Sequence, residues 1–132
     1  MDPLIYKILK TKEKPVSIEV RGKIIETDEE GFLLNPNDWS EEVAEKIAER
    51  EGIKLDDVKW ALIRYFREYY EEHQTHPTMH KLLLTEGKLH GDHFKDTKLY
   101  RDFLYETFPK GPIQTLCKLA GLPKPAEEVE AG

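Results

Sequence analysis

The chain has 132 residues, the length of one domain and too few for two of ordinary size. Lys and Arg number 20 against 26 Asp and Glu, and the resulting formal net charge of -6 disfavours broad binding to nucleic acid phosphates. One cysteine excludes an internal disulfide, and no run approaches the roughly 18 apolar residues of a membrane helix. We therefore expect a soluble protein of the reducing cytoplasm, with no membrane partner.

The first predicted element is a β-hairpin at about residues 16–27. Two runs of alternating, β-branched character flank Arg21 and Gly22, and the glycine permits the backbone of a tight turn. A lone hairpin is only marginally stable in water, so its apolar face is expected to pack on helices. The predicted members of that face are Ile18, Val20, Ile24 and Phe32.

Two amphipathic helices are predicted next. The first lies in NPNDWSEEVAEKIAEREG and ends at Gly52, where the left-handed backbone of a helix end suits glycine. Its possible caps are Asn37, Asp38 and Ser40. The second begins at the cap formed by residues 56–57 and runs to about His73. Its predicted core face is Val58, Ala61, Leu62, Tyr65, Phe66 and Tyr69.

Three further helices are predicted in the second half. Pro77 suits the first turn of a short helix that carries Met79, Leu82 and Leu83, and the following EGKLHGDHFKD predicts a loop. The next helix has Asp96 or Thr97 as its cap. Its predicted apolar stripe is Leu99, Phe103, Leu104 and Phe108. The last helix, in GPIQTLCKLAG, begins near Pro112 and ends at Gly121.

The chain is expected to be one domain with loose ends. Residues 1–15 are predicted to be an N-terminal extension and residues 16–122 the domain itself. Residues 123–132 form a C-terminal arm that we expect to be extended and mobile, because its two prolines disfavour helix and few apolar residues could anchor it.

The one thiol, Cys117, falls in the last predicted helix. A cysteine is nucleophilic as its thiolate, which forms near positive charge or near the N–H groups of a helix start. The helical neighbours of Cys117 are uncharged: Ile113, Leu116, Ala120 and Gly121. This pattern favours a small buried residue of low reactivity, and a working nucleophile is the alternative hypothesis.

Five histidines raise the question of a metal site: His73, His76, His80, His90 and His93. No sulfur ligand or HExxH context accompanies them, and Pro77 interrupts the helix that would align His73 with His80. We therefore predict neither a metal site nor a cofactor.

Five segments spread over about residues 17–125 have counterparts in a single known family. They are IEVRGKIIETDEEGFLLNPNDW, EEVAEKIAEREGIKL, the W of Trp60 followed by REYYEE, HPTMHKL, and LYETFPKGPIQTLCKLAGLPKP. The last is the most specific, because a long matched run surrounds a cysteine and two prolines. In these segments the chain resembles the DsrC/TusE family of sulfur-transfer proteins, which includes the gamma subunit of dissimilatory sulfite reductase.

The resemblance implies an α+β fold, a mostly helical orthogonal bundle with an N-terminal β-hairpin. It also implies a mechanism. Members that work with sulfite reductase use two cysteines, one in the last helix and one near the end of a flexible arm, and carry a sulfur atom between them as a trisulfide. Members of the tRNA-thiolation type keep the arm cysteine and receive a persulfide from a relay partner.

The sequence departs from this pattern at one decisive position. Cys117 matches the helix cysteine, but Glu128 occupies the position of the arm cysteine. A single thiol cannot close an internal disulfide or trisulfide, and a carboxylate cannot accept sulfur from a persulfide. The resemblance thus implies an accessory protein of sulfur metabolism that binds a sulfite-reductase-type or sulfur-relay partner, without stand-alone enzyme activity and with Cys117 at most a persulfide carrier. The candidate partner-binding residues are Pro123, Lys124, Pro125, Glu128, Arg64 and His80.

A regulatory protein on the same scaffold is the alternative. The helices predicted at about residues 56–73 and 77–85 are joined by a short turn that suits a helix-turn-helix, a motif that binds DNA or protein. The basic residues of this pair are Arg64, Arg67, His80 and Lys81. The long helix also carries Glu68, Glu71 and Glu72, which disfavour DNA. We therefore expect a protein partner rather than DNA.

Overall fold

Two short antiparallel strands, β1 (Ser17–Val20) and β2 (Lys23–Glu26), form the predicted hairpin. The computed structural model describes residues 17–89 and 97–125 of the chain, so the predicted N-terminal extension lies outside the described residues. Both residues of the two-residue turn have positive φ, 52° at Arg21 and 78° at Gly22. This combination is typical of a type I′ turn, whose twist matches that of the two strands.

The pairing register decides which face of the hairpin is buried. Ile18 stands opposite Ile25, and Glu19 stands opposite Ile24. Directly opposed side chains share a face, so Ile25 joins Ile18 in the core while Ile24 is 61% exposed. The prediction that Ile24 faces the core is therefore wrong. Phe32 is buried and Val20 packs against the core, as predicted.

Helix α1 (Glu41–Glu51) begins and ends at local signals. The hydroxyl oxygen of Ser40 accepts a hydrogen bond from the N–H of Val43 at 3.2 Å, which identifies Ser40 as the cap among the three candidates. Gly52, with φ of 72°, ends the helix. A hydrogen bond from the Arg50 guanidinium to the carbonyl of Ser17 ties α1 to the hairpin.

Helix α2 (Asp57–His73) is the longest helix described. The carboxylate of Asp56 accepts the N–H of Lys59 at 2.9 Å and so caps the helix start, as predicted. The buried face differs from the prediction, because Ala61 is exposed and Ile63 is fully buried. Three other predicted members are only half-buried: Val58, Tyr65 and Tyr69. Leu62 and Phe66 are buried as expected.

Helices α3 (Met79–Leu89) and α4 (Thr97–Thr107) pack against each other. Helix α3 continues through residues 86–89, where a loop was predicted; the rest of that loop and Asp96 lie outside the described residues. Its expected core residues Met79, Leu82 and Leu83 are buried. On α4 the predicted stripe is wrong at Leu99, which is 53% exposed, and Tyr100 is buried in its place.

The last helix, α5 (Pro112–Leu119), occupies the centre of the fold. It packs against α1, α2 and α4, and six of its eight residues are buried. The hairpin packs on α1, and the apolar residues of all these elements form one core. The α+β architecture with an N-terminal hairpin agrees with the prediction. Its consequence for function is that the only cysteine lies on the most enclosed helix.

Candidate functional site

Cys117 lies near the C-terminal end of α5, and its side chain is 0% exposed. Apolar side chains of the same core surround this turn of the helix, among them Leu116 and Leu119. The thiol is therefore buried, as its uncharged helical neighbours predict. A sulfur donor or an alkylating reagent can reach a fully buried sulfur only when the surrounding structure opens locally.

The end of α5 is closed by a Schellman motif. The N–H of Leu122 donates to the carbonyl of Cys117 at 2.9 Å, and the N–H of Gly121 donates to the carbonyl of Lys118 at 3.2 Å. Gly121 adopts the left-handed conformation that this motif requires, with φ of 71°. The cysteine backbone thus takes part in the turn that directs the chain out of the helix.

Two side chains from distant parts of the sequence complete this helix end. The indole Nε1 of Trp39 donates to the carbonyl of Leu119 at 2.8 Å, and the guanidinium of Arg67 donates to the carbonyl of Ala120 at 2.7 Å. The guanidinium also stacks over the Trp39 ring, 4.0 Å from its centre. We call this pair, Trp39 and Arg67, the helix-end clamp.

The clamp was not predicted from the sequence, which places Arg67 on the polar side of α2. In the structure the Arg67 side chain is half-buried. Burial lowers the pKa of its guanidinium, and the neighbouring carboxylate of Glu71 acts in the opposite direction. The position of Arg67 along α2 does not predict this contact, because the carbonyl that it binds is 53 residues away in the chain.

The first residues after α5, Leu122–Pro125, are called the arm root. Leu122 and Pro125 are buried, whereas Pro123 and Lys124 are exposed. The Lys124 ammonium forms an ion pair with Glu30 at 2.8 Å. The rest of the predicted arm, including Glu128, lies outside the described residues.

The arm root lines an open groove of about 270 Å³. The other wall comes from the end of α2 and the turn after it: Tyr70, Gln74, Thr75 and His76. Pro123, Lys124 and Pro125 are therefore brought together in one place, as candidates for partner binding.

The other two candidates lie apart from this groove. Arg64 is exposed on α2 and His80 is exposed near the start of α3, and neither lines the groove at the arm root. The turn between these helices spans residues 74–78, but α2 packs on α5 while α3 packs on α4.

A larger open groove, of about 460 Å³, was not predicted from the sequence. Its walls are the segment after α1 and the turn between α4 and α5, with three lysines around it: Lys54, Lys59 and Lys110. These positions come from separate segments of the chain, so only the folded structure identifies them as neighbours.

His73 and His76 make local contacts. The His73 ring lies 4.3 Å from the Tyr69 ring, and the Nδ1 of His76 lies 2.8 Å from the carbonyl oxygen of Pro77. Within residues 17–89 and 97–125, no three His, Cys, Asp or Glu side chains are grouped as ligands for a metal ion. His90 and His93 are outside those ranges. No helix of the described chain is both long and apolar enough to cross a membrane.

Comparison with known proteins gives relatives that match this chain over nearly their whole length. Sulfurtransferase TusE of Yersinia pestis is 39% identical over 110 residues, which cover 83% of this chain and 97% of the relative. Sulfurtransferase TusE of Escherichia coli (strain K12) is 42% identical over 106 residues, which cover 80% of this chain and 94% of the relative.

Solved structures of DsrC proteins are also similar to this chain. The NMR structure of DsrC from Allochromatium vinosum has a TM-score of 0.72 and 41% identity, with 84% of this chain and 96% of that chain covered. The crystal structure of the oxidized gamma-subunit of dissimilatory sulfite reductase (DsrC) from Archaeoglobus fulgidus has a TM-score of 0.71 and 33% identity, with 84% and 97% covered. The family model described as "DsrC like protein" matches residues 19–129. The chain therefore belongs to the DsrC-like family, as a member whose single cysteine, Cys117, lies in the last helix.

Proposed function

We propose that this protein is a sulfur-relay accessory protein that docks on a sulfite-reductase-type or sulfur-relay partner and lacks the two-cysteine trisulfide chemistry. The observation that carries the proposal is the combination of a DsrC-like scaffold with one fully buried thiol, Cys117, and a carboxylate, Glu128, in the arm. The relatives named sulfurtransferase support a role in sulfur transfer.

The chemistry open to a single thiol is exchange with a persulfide. The Cys117 thiolate would attack the outer sulfur of a donor persulfide, the donor S–S bond would break, and the donor cysteine would leave as its thiolate. Cys117 then holds the sulfur as a persulfide, and no net oxidation occurs. Release of that sulfur as sulfide by closure of an internal disulfide needs a second thiol, which this chain lacks.

Burial makes this carrier role conditional. Because the Cys117 side chain is 0% exposed in the folded protein, its observed rate of modification is the intrinsic rate multiplied by the fraction of molecules opened at the end of α5. We propose that docking is the primary function and that any sulfur carriage by Cys117 depends on a partner that promotes this opening.

The arm root is the proposed docking surface. It presents Pro123 and Lys124 to solvent beside the groove of about 270 Å³, and its ion pair with Glu30 is exposed and exchangeable. Glu128 would add a negative charge further along the arm. Arg64 and His80 are proposed as secondary contacts, since both are exposed on the neighbouring helices.

The carrier role is tested by intact-mass measurement after exposure of the native protein to polysulfide and, separately, to a thiol alkylator. We expect slow modification of the native protein, fast modification after unfolding, and none in a Cys117→Ser control. Fast sulfur uptake by the native protein would instead make Cys117 a working carrier without a partner.

Docking is tested by titrating the protein into a purified dissimilatory sulfite reductase and, separately, into a purified sulfur-relay complex. We expect Lys124→Ala to weaken binding about tenfold and Cys117→Ser to bind as the wild type does. If neither partner binds the wild type, the docking proposal is wrong.

The regulatory alternative rests on the exposed Arg64 and His80 of α2 and α3. It predicts binding to duplex DNA that weakens as salt rises and that is lost in Arg64→Ala. Helices α2 and α3 pack on different helices, α5 and α4, so their packing adds no support for a helix-turn-helix.

A further inference from the structure

We propose that Arg67 and Trp39, the helix-end clamp, are positioning residues that fix the direction in which the chain leaves α5 at the arm root. Their contacts hold the backbone of Leu119 and Ala120, immediately before the exit point. The role of that direction in docking rests on the proposed function. The clamp itself belongs to the free protein and can be tested without a partner.

The first argument concerns the carbonyl groups at the end of α5. The last carbonyls of a helix have no partner inside the helix and are satisfied by caps, side chains or water. Here five consecutive carbonyls, those of residues 116–120, all accept hydrogen bonds from the protein. Three of the donors are backbone N–H groups of the turn, and the other two are the clamp side chains. The backbone of the turn therefore satisfies only three of these five carbonyls, and the clamp satisfies the other two.

The second argument is steric. A Cβ added to Gly121 would lie 2.5 Å from Cδ1 and 2.9 Å from Cβ of Trp39, so the indole lies directly against the backbone of the turn. The Arg67 guanidinium holds the same indole through stacking at 4.0 Å. An indole fixed from two sides leaves the Gly121 backbone little freedom to rotate.

The third argument is continuity with the arm root. Leu122 follows Gly121 and is 3% exposed, and Pro125 is buried three residues further on. Tyr70, one helical turn after Arg67 on α2, lines the groove beside the arm root. The helix that carries Arg67 thus also contributes to the wall of the groove along which the arm root runs.

A preorganised exit lowers the ordering cost when the arm engages a partner. With the clamp removed, the arm root would sample more directions, while the core contacts of α5 with α1 and α4 would remain. This separation between a local and a global effect makes the assignment testable.

The experiment is backbone amide hydrogen exchange, read residue by residue, in the full-length protein. In Arg67→Met we expect the N–H groups of Gly121 and Leu122 to exchange about tenfold to a hundredfold faster, because a hydrogen bond from a charged donor is lost. Amides in α1 should keep their rates. The matched control is Arg64→Met, the same substitution at an exposed position on the same helix. It should leave the exchange rates at the arm root and in α1 unchanged.

Two conservative variants protect the test against misfolding. Trp39→Phe keeps a ring but loses the indole N–H, and Arg67→Lys keeps the charge but loses the planar fork. We expect both to accelerate exchange at Gly121 and Leu122 by smaller factors than Arg67→Met. Uniform acceleration throughout the protein would show that the clamp only stabilises the fold, and unchanged rates at the arm root would show that it does not hold the exit; either result overturns the assignment.

The result also separates this inference from the proposed function. Local acceleration at Gly121 and Leu122, together with no binding of either purified partner by the wild type, would confirm the clamp and refute docking. Partner binding with unchanged exchange in all three variants would refute the clamp and leave docking intact.

Discussion

Gly121→Ala tests the packing of the helix end most directly. The residue has φ of 71°, and an added Cβ would lie 2.5 Å from Cδ1 of Trp39. A left-handed conformation costs an L-residue about 1–2 kcal/mol. The overlap with the indole forces the ring or the backbone to move, at a further cost of about 1–3 kcal/mol. We therefore expect Gly121→Ala to lower the free energy of unfolding by about 2–5 kcal/mol, measured by urea denaturation.

Gly52→Ala is the matched control. Gly52 also ends a helix and has φ of 72°, but no atom lies within 4 Å of the position its Cβ would take. Gly52→Ala should therefore lower the free energy of unfolding only by the cost of the left-handed conformation, about 1–2 kcal/mol. The difference between the two substitutions isolates the contact with Trp39. If both cost the same within about 0.5 kcal/mol, the argument that the indole lies tightly against this turn is wrong.

Three further predictions concern other elements. Ile25→Ala should lower the free energy of unfolding by about 2–4 kcal/mol and Ile24→Ala by less than about 0.5 kcal/mol. The reason is that Ile25 is 4% exposed and Ile24 is 61% exposed. Equal losses of stability in urea denaturation would refute the hairpin register. Hydrogen bonding from a backbone N–H lowers the pKa of Asp56, so its capping contribution is present above the unfolded-state pKa and is lost as pH falls through the folded value. Asp56→Ala should accordingly cost about 0.5–2 kcal/mol at neutral pH and much less in strong acid, and a loss independent of pH would contradict this. Glu128→Cys should permit an oxidant to form an internal disulfide that is absent when Cys117 is also replaced by Ser, and mass measurement that finds only intermolecular dimers would show that residue 128 does not reach the thiol.

Local signals in the sequence predicted the elements well. The Ser40 cap, the Asp56 cap and the Gly52 helix end each depend on residues within about three positions, and the structure contains all of them. The family resemblance predicted the architecture, including the N-terminal hairpin. These features need no knowledge of which distant segments meet.

Errors arose where neighbouring apolar residues compete for one buried face. Ile24 and Ile25 are adjacent, and only the strand register decides which of them turns inward. In α4, Leu99 and Tyr100 compete in the same way. Tyr100, Leu104 and Phe108 form the buried series at four-residue spacing, which begins one position after the predicted Leu99.

The candidate site could be predicted only in part, because its parts meet through tertiary contacts. The sequence identified Cys117 and the glycine that ends its helix, since both lie within one segment. It gave no sign that Arg67 reaches the end of α5, because an arginine on an amphipathic helix is ordinarily assigned to solvent. Burying a guanidinium is costly unless its N–H groups find acceptors, and here the carbonyl and the aromatic ring that contact it are supplied by other segments. In the turn that the clamp holds, the N–H of Leu122 donates to the carbonyl of Cys117, so the same few contacts lie beside both the thiol and the start of the arm.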